Sequence, residues 1–96
     1  ESSIVLPALP QSDFATPPTP GVVEATSKYA KTHTVCLMEY HGAFTWGPDV
    51  WAAYMAMERL EYTAQITYLL ERRDGLRELP DDEIVKLVSM RPQYGL

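Results

Sequence analysis

The sequence predicts an α/β protein, and three observations carry that prediction. Two short runs of β-branched and apolar residues, Thr34–Glu39 and Ala43–Trp46, stand on either side of one tight turn. Three further stretches place apolar residues at helical spacing, after Thr19-Pro20, from Val50 to about Arg73, and after Pro80. The longest of these carries two apolar stripes where a globular core needs only one, so it is to be covered on both sides, by its own sheet and by something more.

Taken in order, residues 1–19 predict a strand and loop segment. Five of the eight prolines (Pro7, Pro10, Pro17, Pro18 and Pro20) fall within the first 20 residues, a density that excludes a helix and favours extended strand and loop. Ile4-Val5-Leu6 is compatible with a short edge strand, where proline is tolerated, or with a disordered linker. Residues 20–90 then read as helix, strand, turn, strand, helix, helix. Thr19 offers a hydroxyl to cap the first helix and Pro20 suits its first turn, where a missing N–H costs nothing. Val22, Val23, Thr26, Tyr29 and Ala30 share one face, and the helix is expected to end near Thr32-His33. His33 falls in a polar turn and is expected in solvent.

After the strands, Gly47-Pro48 breaks the chain and Asp49 offers a carboxylate to cap the next helix. That helix, from Val50 to about Arg73, would be roughly 36 Å long at 1.5 Å per residue. One stripe comprises Val50, Ala53, Tyr54, Met57, Leu60 or Glu61, and Ala64; the other comprises Trp51, Met55, Tyr62, Ile66 and Leu69. Arg72-Arg73-Asp74-Gly75 closes it, with positive charge and a glycine at the C-terminal end. Pro80-Asp81-Asp82-Glu83 opens the last helix with acids against its N-terminal dipole, which accounts for those carboxylates better than a metal cluster does. Ile84, Val85, Leu87 and Val88 give its inner side, and residues 91–96 are a tail stopped by Pro92.

Composition narrows the function. Ninety-six residues make one domain at most, and 46% hydrophobic content is ample for a core. A net charge of −5 disfavours nucleic acid and anionic membrane surfaces. No apolar run reaches the length of a membrane span. The one cysteine, Cys36, lies in an apolar strand, where it reads as a small core residue; it makes no disulfide framework and points to a reducing compartment, the cytoplasm. The chain opens on Glu1, which suggests a fragment, a processed chain or an engineered piece. Gly-rich phosphate loops, paired-cysteine zinc motifs and nucleophile elbows are absent from the sequence.

The chemistry gathers at His41-Gly42. A glycine there can take positive φ and turn the backbone sharply, leaving the imidazole uncovered at a strand end. Such a histidine is either a satisfied structural residue or a ligand or catalytic group, and zinc takes three or four protein ligands, so His41 by itself identifies no metal site.

The order of apolar strand, polar residue, His41-Gly42, apolar pair, Trp46-Gly47, Pro48-Asp49 and long helix resembles the class II aldolase/adducin family. Phe14-Ala15-Thr16 with Thr19 is similar to the family's loop before the preceding helix. Leu79-Pro80-Asp81-Asp82-Glu83-Ile84-Val85 and Tyr94-Gly95-Leu96 are similar to the C-terminal end of L-fuculose-phosphate aldolases. The resemblance runs over nearly the whole chain but covers only the second half of the family's domain.

It implies a three-layer α/β/α fold with a central, largely antiparallel sheet, of which this chain supplies the C-terminal part. It also implies a zinc-dependent aldolase that cleaves a ketose phosphate by a retro-aldol reaction, the metal taking up developing oxyanion charge. His41 matches the third of three histidine ligands. The other two, a His-x-His pair, would lie upstream of Glu1 together with the acid–base glutamate and the phosphate-binding loops. Tyr94 matches a tail tyrosine that moves a proton to or from the aldehyde product, its alternative being a frayed terminus. The expected partners are a sugar-phosphate substrate, a complementary N-terminal segment or chain, and three further copies in a homotetramer with sites between subunits. The isolated chain is expected to be inactive. A pentulose-phosphate 4-epimerase with a similar His-Gly-x-Phe-x-Trp-Gly turn and an adducin-like, non-enzymatic interaction domain are the alternatives.

Overall fold

A computed structural model describes residues 2–73 and 77–96. In chain order the elements are helix α1 (Ser2–Val5), strand β1 (Gln11–Ser12), helix α2 (Pro20–Ser27), strand β2 (Val35–Met38), strand β3 (Gly42–Thr45), helix α3 (Val50–Glu71), helix α4 (Asp81–Ser89) and a 3₁₀ helix, Arg91–Tyr94. They fall into two compact units, residues 8–58 and residues 1–7 with 59–96. The long helix α3 begins in the first and ends in the second.

The first unit is built on β2. Val35 and Cys36 are successive strand residues pointing to opposite faces, and both are fully buried, so this strand is covered above and below. β3 pairs antiparallel to it, with Val35 opposite Thr45, Cys36 opposite Phe44, Leu37 opposite Ala43 and Met38 opposite Gly42. On the other edge β1 pairs parallel, Gln11 with Leu37 and Ser12 with Met38, and the Leu37 N–H donates to the Pro10 carbonyl at 2.9 Å. A parallel neighbour needs a crossover, and α2 supplies it between β1 and β2. The three-stranded sheet is therefore mixed, with one antiparallel and one parallel pairing among the described residues.

α2 starts at Pro20 as its sequence dictates, yet the Thr19 hydroxyl caps nothing: it donates to the Thr16 carbonyl at 2.5 Å. The helix loosens after Ser27 into turns that run to His33. Its inner side is Gly21, Val22, Ala25, Thr26 and Tyr29; Val23 and Ala30, placed on that face by spacing, are exposed. His33 is half-buried, with Nδ1 2.8 Å from the Thr32 hydroxyl and its ring edge-on to Tyr29. Phe44 and Trp46 stack on each other with centroids 5.0 Å apart, and the Trp46 indole N–H donates to the Ala30 carbonyl at 3.2 Å. Trp46 is thereby tied to the turns after α2. The link from β3 to α3 comes from the Thr45 hydroxyl, which donates to the Ala53 carbonyl at 2.7 Å. Asp49 Oδ1 accepts from the Ala52 N–H at 2.7 Å and starts α3.

In the second unit two expectations fail. Ile4 and Val5 lie in helix α1, not in an edge strand: four residues fit ahead of Pro7, and α1 packs on α4 while the Arg91 guanidinium donates to the Ile4 carbonyl. The tail, expected to be stopped by Pro92, forms the 3₁₀ helix Arg91–Tyr94. Pro92 sits inside the 3₁₀ helix, where a first-turn proline is accommodated, and Gly95 at φ 73° ends it with its N–H directed to the Arg91 and Pro92 carbonyls. α4 begins after Pro80 with Asp81, Asp82 and Glu83 in its first turn; Ile84, Leu87 and Val88 are half-buried, whereas Val85 is exposed. The expected Asp74-Gly75 cap of α3 lies outside the described residues.

On α3 only Leu60 is fully buried, with Ala52, Ala53, Met57 and Thr63 half-buried along the same side. The second stripe stays in solvent, Trp51 at 70% exposure. No helix among the described residues is long and apolar enough to cross a membrane.

Candidate functional site

The turn between β2 and β3 consists of Glu39, Tyr40 and His41. The His41 N–H donates to the Met38 carbonyl at 2.9 Å, and Tyr40 takes a left-handed backbone, φ 62°, at the turn's third position. Gly42 follows at φ 130°, a conformation open to glycine and rare for any L side chain. Space is not what demands glycine there, since an added Cβ would meet nothing within 4 Å. Sequence reasoning places the sharp bend at Gly42 alone; the structure puts a second one on a tyrosine.

His41 is exposed, and its Nδ1 lies 2.8 Å from the Glu39 carbonyl oxygen. A carbonyl only accepts, so Nδ1 carries the hydrogen and Nε2 of the neutral ring keeps its lone pair. This is the arrangement by which proteins orient a metal-ligating histidine. Glu39 acts a second time through its side chain, Oε2 accepting the Phe14 N–H at 3.0 Å. Phe14 in turn stacks on His41 with centroids 5.8 Å apart and planes 25° apart, and meets Tyr40 edge-on at 5.8 Å and 80°. One residue thus holds both the imidazole and the ring against which it rests.

A small cleft opens beside this group, lined by Ser12, Asp13, Ala15, Val22, Ala25, Thr26, Met38, Glu39 and His41. Asp13 and Glu39 place carboxylates in its lining. Lys28 reaches Asp13 at 3.7 Å, but both side chains are well exposed and the pair is screened by water.

As a metal site the described residues do not suffice. Among the described residues no three His, Cys, Asp or Glu side chains come together in a way that could hold an ion. His41 is fit to be one ligand, with its free Nε2, and no set surrounds it. Tyr94 belongs to the other unit; it closes the 3₁₀ helix with its side chain 61% exposed. Sequence reasoning assigned no site role to Glu39, Phe14 or Tyr40. A carboxylate closing an apolar strand directly before a turn is the one signal that pointed to Glu39; Phe14 and Tyr40 reach the site only through folding.

Comparison with known proteins gives one finding. The family model described as Class II Aldolase and Adducin N-terminal domain matches residues 3–68, a span that holds the sheet, the His41 turn and most of α3 but ends before α4 and Tyr94. No curated protein and no solved structure matches the chain.

Proposed function

The chain belongs to the class II aldolase/adducin family, and on that premise we propose that it is part of a zinc-dependent aldolase that cleaves a ketose phosphate by a retro-aldol reaction, as L-fuculose-phosphate aldolases do. In this reading it supplies the C-terminal part of a three-layer α/β/α domain with a largely antiparallel sheet, working in the cytoplasm as a homotetramer. The observation that carries the proposal is the open Nε2 of His41, presented at a strand end by the bond from Nδ1 to the Glu39 carbonyl. A metal bound there supplies Lewis acidity to the substrate carbonyl. The remaining ligands come from a complementary segment or chain, because the described residues gather no ligand set of their own.

The parts of this chain then have distinct tasks. Glu39 orients the imidazole and anchors Phe14. Asp13 and Glu39 line the cleft beside it. Tyr94 is the proton donor to the aldehyde product; its exposed phenol supports that role.

Metal analysis of folded protein, with the complementary ligands present, tests the reading. His41→Ala should reduce bound zinc more than tenfold, since even the residues that merely orient a metal-ligating histidine are worth 10–100-fold in affinity. Zinc content equal to wild type would refute it. A second reading is a non-enzymatic, adducin-like interaction domain on the same scaffold, which the retention of His41 disfavours. A pentulose-phosphate 4-epimerase would share the turn, and product analysis separates it from an aldolase: epimerised pentulose phosphate against two cleavage products.

A further inference from the structure

The exposed side of α3 carries a regular repeat. Met55, Arg59, Tyr62, Ile66, Leu69 and Arg73 follow one another at spacings of 4, 3, 4, 3 and 4, the 3.5-residue period that keeps a seam straight along a helix. Met55, Tyr62, Ile66 and Leu69 are all exposed, while the covered residues Ala53, Met57 and Leu60 lie on the opposite side. A second row borders the seam: Glu58, Gln65 and Arg72, each one residue before a seam position, are exposed as well. Its charges are ordered, with acid at the N-terminal end, an uncharged amide in the middle and base at the C-terminal end. The Arg72 guanidinium stays at that end, over the Tyr68 ring at 4.4 Å.

We propose that this face docks a second copy of the same chain, its α3 running antiparallel to the first about a two-fold axis at Gln65. The order of the charges selects both the occupant and its direction. Run antiparallel, the bordering row sets Glu58 against Arg72 of the second copy, Gln65 against its own equivalent, and Arg72 against Glu58 of the second copy. Both charged contacts are then opposite in sign. Within the seam, Tyr62 meets Ile66 of the second copy, Arg59 lays its apolar stem beside Leu69 of the second copy, and Arg73 does the same beside Met55. Run parallel, the seam would stack Arg59 on Arg59 and Arg73 on Arg73, and would leave Glu58 and Arg72 at opposite ends. The face is complementary to itself in one direction only. About two and a half heptads is short for a pair of free helices, but α3 is already a helix of 22 residues in its own fold, so association carries no nucleation cost. The proposal does not depend on the metal reading of His41.

Sedimentation of the whole 96-residue chain tests this, comparing wild type with Glu58→Arg, Arg72→Glu and the two substitutions together. Wild type should dimerise reversibly. Each single reversal should weaken the dimer about tenfold, because one exposed pair is worth a factor of roughly 1.5–5 and the two-fold axis counts every change twice. The combined variant restores opposite signs and should return the dissociation constant to within about threefold of wild type. A second measurement leaves the seam and its charges unaltered, and so decides even where a reversal impairs folding. A short thiol-to-thiol cross-linker should join two copies of Gln65→Cys, at the axis, far more readily than two copies of Ala64→Cys, the native Cys36 being buried. A wild-type chain that stays monomeric at every attainable concentration overturns the proposal, as does a dimer indifferent to both single reversals. Single reversals that weaken the dimer with no recovery in the combined variant overturn the antiparallel pairing. So does a cross-linking yield no higher for Gln65→Cys than for Ala64→Cys.

Discussion

Glu39 joins the backbone of the His41 turn to the loop at Phe14, its carbonyl accepting from the imidazole and its carboxylate from an amide. Glu39→Ala should therefore loosen the Phe14 loop while leaving the imidazole bond, which depends on main chain. Amide exchange at Phe14 rising by a factor of ten or more, with His41 ring resonances unmoved, is the expected pattern. Tyr94 makes a sharper case. Removing a general acid costs about 10²–10⁴-fold in rate, so Tyr94→Phe should cut turnover by that factor in the assembled enzyme and leave metal content alone. Equal turnover would make Tyr94 only the last residue of a 3₁₀ helix. Trp46 has a structural part: its indole N–H reaches the Ala30 carbonyl. Trp46→Phe should lower stability by about 1 kcal/mol, the usual worth of one hydrogen bond, and leave KM unchanged; a raised KM at constant melting temperature would assign the ring to substrate instead.

At the scale of elements, the start of α3 is set by two neighbours of Pro48. Asp49 caps the helix through the Ala52 N–H, and its loss to alanine should cost about 1 kcal/mol. Gly47 lets the strand end and the helix approach: a Cβ there would stand 2.9 Å from the Ala52 Cβ and 3.4 Å from backbone atoms of Ala52 and Ala53. Those atoms belong to a helix and cannot swing aside as a flexible side chain would. Gly47→Ala should thus destabilise by about 1–3 kcal/mol, as overpacking does, measured by chemical denaturation. An unchanged midpoint would mean that α3 shifts at little cost.

For the molecule, the exposed half of α3 is the dominant feature. Trp51, Tyr54, Met55, Tyr62 and Leu69 are all exposed on one helix, and contiguous apolar surface of this kind marks interaction sites or aggregation liabilities. The isolated chain should therefore sediment as an oligomer or aggregate at micromolar concentration, and a sharp, soluble monomer with cooperative unfolding would count against a partner on this face. The proposed tetramer and the proposed complementary segment each provide such a cover.

What the sequence by itself determined is local in origin. The strands at Val35–Met38 and Gly42–Thr45, the buried Cys36, the Asp49 cap and helices α3 and α4 follow from β-branched runs, helical spacing and capping chemistry that act within a few residues. The candidate histidine was legible for the same reason, since a His-Gly turn at a strand end is a local pattern. Tertiary structure decided the rest. Two residues, Gln11 and Ser12, have no periodicity to read and become a strand only because β2 offers them an edge. Ile4 and Val5 have strand-forming side chains, yet they form a helix against α4, where packing outweighs propensity. Phe14 reaches His41 across 27 residues of chain through a carboxylate whose partner cannot be inferred from spacing. Tyr40 is held in a conformation its own chemistry disfavours, because the hairpin register leaves three residues to join Met38 to Gly42 and the bend must fall on one of them.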